Sequence, residues 1–169
     1  MDLQNALDKL LPAFQGYYTL KTEQIKAPFQ AEATFRSRNE QYFLLKSARI
    51  SEADSNEFVY FHTTDYLDSP TLADLDSCAW ERGIGQVRPD YHHNRTDVAL
   101  IILAEKISED AKMQIKKLKH SKSYKFGLNG FSNYRVLALE LSISQLYCNR
   151  LGKGLKQVIN HTKYKKDGN

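Results

Sequence analysis

The 169-residue sequence predicts a single α+β domain: an antiparallel meander, a central strand and a C-terminal hairpin, with helices packed on the sheet. Three observations carry this. Apolar residues recur at spacings of three and four in several separated segments, as on one face of a helix. From Phe29 the period changes to two, as in a half-buried strand. The run Val98-Ala99-Leu100-Ile101-Ile102-Leu103 is apolar on both of its would-be faces, which suits a strand in the middle of a sheet. The length fits one domain, and 19 aromatic residues (10 Tyr, 8 Phe, 1 Trp) are too many for a disordered chain.

Taken in order, Leu3, Ala6, Leu7, Leu10, Leu11 and Phe14 define a helix over 2–15, closed by Gly16. Residues 17–28 show little periodicity. Phe29, Ala31, Ala33 and Phe35 alternate with polar residues to make the first strand, residues 37–40 turn the chain, and 42–50 returns as the second. A third strand covers 58–63. Ser69 as N-cap and Pro70 at the first helical position open a helix that ends near 83–85. A loop over 87–96 leads to the central strand, 97–107. Ser108 caps a helix through Lys119, with Glu109 and Asp110 in its first turn and lysines in its last. Strands over 123–128 and 134–143 flank an Asn129-Gly130 turn signal, and 146–148 extends the sheet. A last helix starts near Gly152. The order is αβββαβαββα, with one domain over 1–162 and a basic, disordered tail over 163–169.

The N-terminal segment has neither the basic start nor the apolar run of a secretory signal, and no apolar run approaches the ~20 residues that span a bilayer. A cytoplasmic protein without membrane contact is expected. Cys78 and Cys148 form no CxxC pair and read as two reduced, partly buried thiols. Charge is unevenly divided. Residues 1–105 carry 10 Lys+Arg against 16 Asp+Glu, net −6, whereas 106–169 carry 14 against 4, net +10. Such a basic half attracts polyanions.

Two groups of candidate residues follow. Lys112, Lys116, Lys117, Lys119, Lys122, Lys125 and Arg135 form the candidate polyanion surface, extended by Lys153, Lys156 and the tail. The loop 90–97 holds His92, His93, Arg95 and Asp97. His92, His93 and Asp97 are the candidate catalytic residues, and His92 with His93 the candidate metal ligands. Adjacent histidines point opposite ways on an extended backbone, which argues against both reaching one ion. Phosphate-loop, dinucleotide and GxSxG fingerprints are absent, and no cofactor is expected.

The segments Tyr42-Phe43-Leu44-Leu45-Lys46, Lys122-Ser123-Tyr124-Lys125-Phe126-Gly127-Leu128-Asn129-Gly130-Phe131-Ser132 and Asn149-Arg150-Leu151-Gly152-Lys153 resemble a family of small bacterial proteins of unknown function. The resemblance implies a shared fold and transfers no activity. The order of the first six elements also resembles restriction-endonuclease-like cores. Those enzymes place an Asp on the second core strand and an acid-x-Lys group on the third. Here 42–50 has no acid and 58–63 has neither acid nor lysine, so that likeness implies topology without the catalytic group.

The leading expectation is therefore a non-enzymatic module binding RNA or DNA through its lysines. A metal-dependent hydrolase or nuclease built on the histidine loop, and an interaction protein or homodimer, are the alternatives.

Overall fold

The computed structural model describes residues 2–36, 54–90 and 93–164. The expected strand over 42–50 and the residue His92 lie outside these. Among the described residues seven strands form one sheet in the order β1 (Thr19–Lys21), β2 (Ala31–Arg36), β3 (Asp54–Leu67), β4 (His93–Ile107), β6 (Phe131–Glu140), β5 (Ser121–Ser123), with β7 (Gln145–Cys148) also on β6.

Asp2 accepts a hydrogen bond from the Gln4 amide and opens α1 (Leu3–Leu10). Pro12 has no N–H to continue the helix and its ring crowds the preceding turn. The chain tightens into a 3-10 turn over Leu11–Phe14, so the helix expected to reach residue 15 ends earlier. A short edge strand, β1 (Thr19–Lys21), gave no periodic signal because it is only three residues long. β2 (Ala31–Arg36) and β3 (Asp54–Leu67) complete an antiparallel set.

The centre of the sheet is parallel. β4 (His93–Ile107) lies parallel to β3 on one side and to β6 (Phe131–Glu140) on the other. It begins four residues before its expected start, taking His93 out of the loop. Parallel neighbours need crossovers, which α2 (Ser69–Gly85) and α3 (Glu109–Lys117) supply. Asp68, one residue before the expected cap, caps α2 by accepting from the Thr71 amide at 2.9 Å. Ser108 caps α3 as expected, accepting from the Ala111 amide at 3.1 Å.

Helices cover both faces. α2 and α3 pack Leu72, Leu75 and Ile115 against Phe58, Val98, Leu100, Ile102 and Val136. On the other face α1 and α4 (Lys153–Tyr164) pack Leu7, Leu10, Leu155 and Ile159 against Val59, Phe61, Ala99, Ile101 and Leu137. Cys78 and Cys148 are half-buried free thiols. No helix among the described residues is long and apolar enough to cross a membrane.

Two short strands share the outer side of β6, end to end. β5 (Ser121–Ser123) pairs with its start and β7 (Gln145–Cys148) with its end. The gap between them is closed by Asn149. Its Oδ1 accepts from the Val136 amide at 3.0 Å and the Gly152 amide at 2.8 Å, and its Nδ2 donates to the Tyr134 and Leu118 carbonyls at 3.1 and 3.0 Å. One side chain thus satisfies four backbone groups in a place where no strand fits. Gly152 must be glycine, since a Cβ there would stand 2.2 Å from the Val136 carbonyl oxygen.

Near the other end of β6, buried Glu140 accepts from the Ile107 amide at 3.1 Å and pairs with Lys112 at 3.0 Å. Burial alone would raise its carboxyl, but the Ile107 amide and Lys112 outweigh it and hold the group below its ordinary value.

Asn149→Ala leaves the Val136 amide unpaired in the interior and the Gly152 amide with only its longer bond, 3.2 Å, to the residue-149 carbonyl, and is expected to cost about 1–3 kcal/mol in urea unfolding; a loss under about 0.5 kcal/mol would show that water replaces the side chain. Glu140 contributes stability that is complete above its unfolded value, near 4.5, and lost as pH falls through the lower folded value. Glu140→Gln should therefore lower Tm at pH 7, with the gap from wild type closing as the solution is acidified below pH 4.5.

Candidate functional site

Residues 124–130, which connect β5 to β6, do not form the strand expected over 123–128. Lys125–Gly127 is a 3-10 turn in which Lys125, Phe126 and Gly127 all have positive φ, at 45°, 55° and 88°. Strand alternation would have put Phe126 on the same face as Tyr124, in the core. Tyr124 is buried, but Phe126 is fully exposed and Leu128 is 82% exposed, with Phe131 at 41% just beyond. The glycine at 127 and the Asn129-Gly130 pair impose a turn, and the turn cancels the two-residue period. Those three residues were the signal available in the sequence.

Left-handed backbone costs a residue with a Cβ about 1–2 kcal/mol, so two such residues in succession need a firm base. The base is closely bonded. The Tyr124 amide donates to the Gly130 carbonyl at 3.0 Å, and the Gly127 and Asn129 amides donate to the Tyr124 carbonyl at 3.0 and 3.2 Å. The Asn129 side chain donates to the Pro89 carbonyl at 2.6 Å, and the Tyr124 hydroxyl meets that of Ser132 at 2.9 Å. Gly130 lies so close to the start of β4 that a Cβ would fall 2.2 Å from the Asn94 carbonyl oxygen.

His93 belongs to this base. It is buried, its Nδ1 donates to the Asn129 carbonyl at 2.7 Å, its Nε2 meets the Thr96 hydroxyl at 2.9 Å, and its ring packs edge-on against Tyr124. Both ring nitrogens are thus engaged by protein groups in the interior.

Asp97 lies on the opposite face of the sheet from His93, whose partner Thr96 precedes it on β4. There Asp97 pairs with Arg95, and the Arg135 guanidinium bonds Glu57 at 2.9 Å and reaches Asp97 at 4.0 Å. Tyr18 donates to the other Glu57 oxygen at 2.5 Å. Burial raises the Glu57 carboxyl, against the pull of Arg135, and burial beside Glu57 raises the Tyr18 phenol. Of its expected partners, His93 faces away and His92 lies outside the described residues. No three His, Cys, Asp or Glu side chains converge among the described residues.

The lysines divide. Lys112 is mostly buried between Glu109 and Glu140, and Arg135 is paired with Glu57, so neither stands with the exposed lysines. Lys153 and Lys156 are on α4, across the sheet from α3. Among the described residues, those two lysines therefore do not join the group on α3 and β5. What remains is local: Lys116, Lys117, Lys119, Lys122 and Lys125 are exposed on consecutive elements, and no ion pair joins them to a carboxylate among the described residues. Asp76, near their middle, is occupied by His120, whose Nε2 stands 2.9 Å from it while its ring stacks on Trp80.

His93→Ala is expected to lose about 2–4 kcal/mol in urea unfolding, since it empties a packed position and strips the Asn129 carbonyl of its donor. A variant as stable as wild type would show that His93 does not anchor the turn.

No curated protein and no solved structure matches the chain, so the likeness to restriction-endonuclease-like cores rests on element order alone. A family model does match, over residues 2–161 and thus over both the sheet and the exposed turn, and the chain belongs to that family, described as a domain of unknown function (DUF8052).

Proposed function

We propose that this protein is a nucleic-acid-binding module, acting through Lys116, Lys117, Lys119, Lys122 and Lys125. One observation carries the reading: five exposed lysines within ten residues have no carboxylate partner among the described residues, although acids lie nearby. Glu109 and Glu140 share Lys112, and Asp76 bonds His120, so none of these three acids is paired with any of the five.

The geometry favours a linear polyanion. Lys116 and Lys117 end α3, and Lys122 stands on β5 opposite Ser132, on the sheet face that α3 covers. From Lys119 to Lys125 the chain spans at most about 20 Å, so the cations form a short track that a phosphate backbone can follow. A binding role needs no catalytic group, and the histidine that most resembled one is occupied in holding the turn.

Filter binding of a mixed-sequence RNA and DNA across 50–200 mM salt tests this. With about five phosphate contacts, log K is expected to fall against log salt with a slope of roughly −3.5 to −4.5. Lys122→Glu with Lys125→Glu should weaken binding and flatten the slope by about two contacts. No retention of either nucleic acid at 50 mM salt would remove the proposal.

A further inference from the structure

Resting on that reading, we infer that the preferred ligand is single-stranded nucleic acid, with Phe126 as a stacking platform for an unpaired base and Lys122 and Lys125 holding the flanking phosphates. Charge alone does not account for the turn. A cationic surface needs no aromatic ring, and the ring at position 126 contributes nothing to the core, since the whole side chain is exposed.

The backbone that carries the ring is held in a fixed way. Lys125, Phe126 and Gly127 are all left-handed, and Tyr124, Asn129 and Gly130 tie the ends of the turn together beneath them. A group held in place loses less freedom when a ligand arrives than one on a loose loop. Every base offers a flat π face, so an exposed ring on a firmly held backbone binds without demanding a sequence. Duplex bases already stack on each other and leave only phosphates to contact, which would make Phe126 superfluous.

The surroundings of the ring specify the charge of the ligand. Lys125 adjoins Phe126 in the chain, and the Lys122 ammonium lies over the Tyr124 ring at 5.6 Å, at the foot of the same turn. Leu128 adds apolar surface beside the platform. An anionic lipid surface would also meet lysine, phenylalanine and leucine. The cations, however, continue away from the tip along β5 to the end of α3, and this suits a ligand whose charge repeats along a line.

The test compares the full chain and its Phe126→Ala and Phe126→Trp variants. Probes are a 12-nucleotide single strand, its duplex, heparin, and vesicles containing phosphatidylserine. The single strand should bind more tightly than the duplex or heparin. Phe126→Ala should lose roughly 5- to 150-fold for the single strand alone, the range measured for one base on one ring. Phe126→Trp should keep binding and show quenched indole fluorescence. Because residue 126 is exposed, matching circular dichroism and Tm are expected for all three proteins.

Equal affinity for single strand, duplex and heparin, with Phe126→Ala unchanged, would overturn the stacking role and leave the electrostatic reading standing. Binding to vesicles that needs Phe126, with oligonucleotide binding indifferent to it, would overturn it in favour of a membrane surface. Failure to bind any polyanion at low salt would remove both proposals together.

Discussion

A strand buried on both faces has no side to turn toward water, and β4 is such a strand from Val98 to Ala104. Its backbone must be satisfied on both edges and its side chains covered from above and below. Parallel pairing with β3 and β6 meets the first need, and α2 with α3 on one face and α1 with α4 on the other meet the second. The rest of the layout follows. β6 can lie parallel to β4 only after a crossover through α3, and the chain leaving α3 then has to reverse before entering β6. The reversal is β5 and its turn, so the exposed tip is a by-product of how the central strand is paired.

The tip and its base have opposite requirements. Beneath the surface nearly every polar atom is matched: His93 by Asn129 and Thr96, Asn129 by Pro89, Tyr124 by Ser132. Above it, Phe126 and Leu128 touch almost nothing. The order below fixes the unusual backbone above, and this is how strained backbone persists in folded proteins.

Much of the architecture was legible in the sequence. β4 was visible because no other pattern explains six apolar residues in a row, and α3 because Ser108, its acids and its lysines agree on direction. The parallel pairing was not legible, since a strand's direction relative to its neighbours depends on connections elsewhere. Arg135 and Lys112 show the limit for charged residues: composition counts them as available cations, but only the fold reveals Glu57 and Glu140 beside them. His93 shows the converse. A histidine among polar residues reads as chemistry, while its burial between Asn129 and Thr96 is a tertiary fact. The segment that resembles the uncharacterised family at 122–132 is the hairpin turn itself, and the one at 149–153 holds the asparagine and glycine at the end of β7.

That asparagine has a consequence for how the molecule behaves in company. Between β5 and β7 the outer margin of β6 would otherwise offer bare amide and carbonyl groups at Tyr134 and Val136, a template onto which a foreign chain could lay itself. Asn149 imitates a peptide unit there and occupies the vacancy with a single amide. Together with the Asn149 main-chain amide on the Val136 carbonyl, that carboxamide closes this margin to a foreign strand.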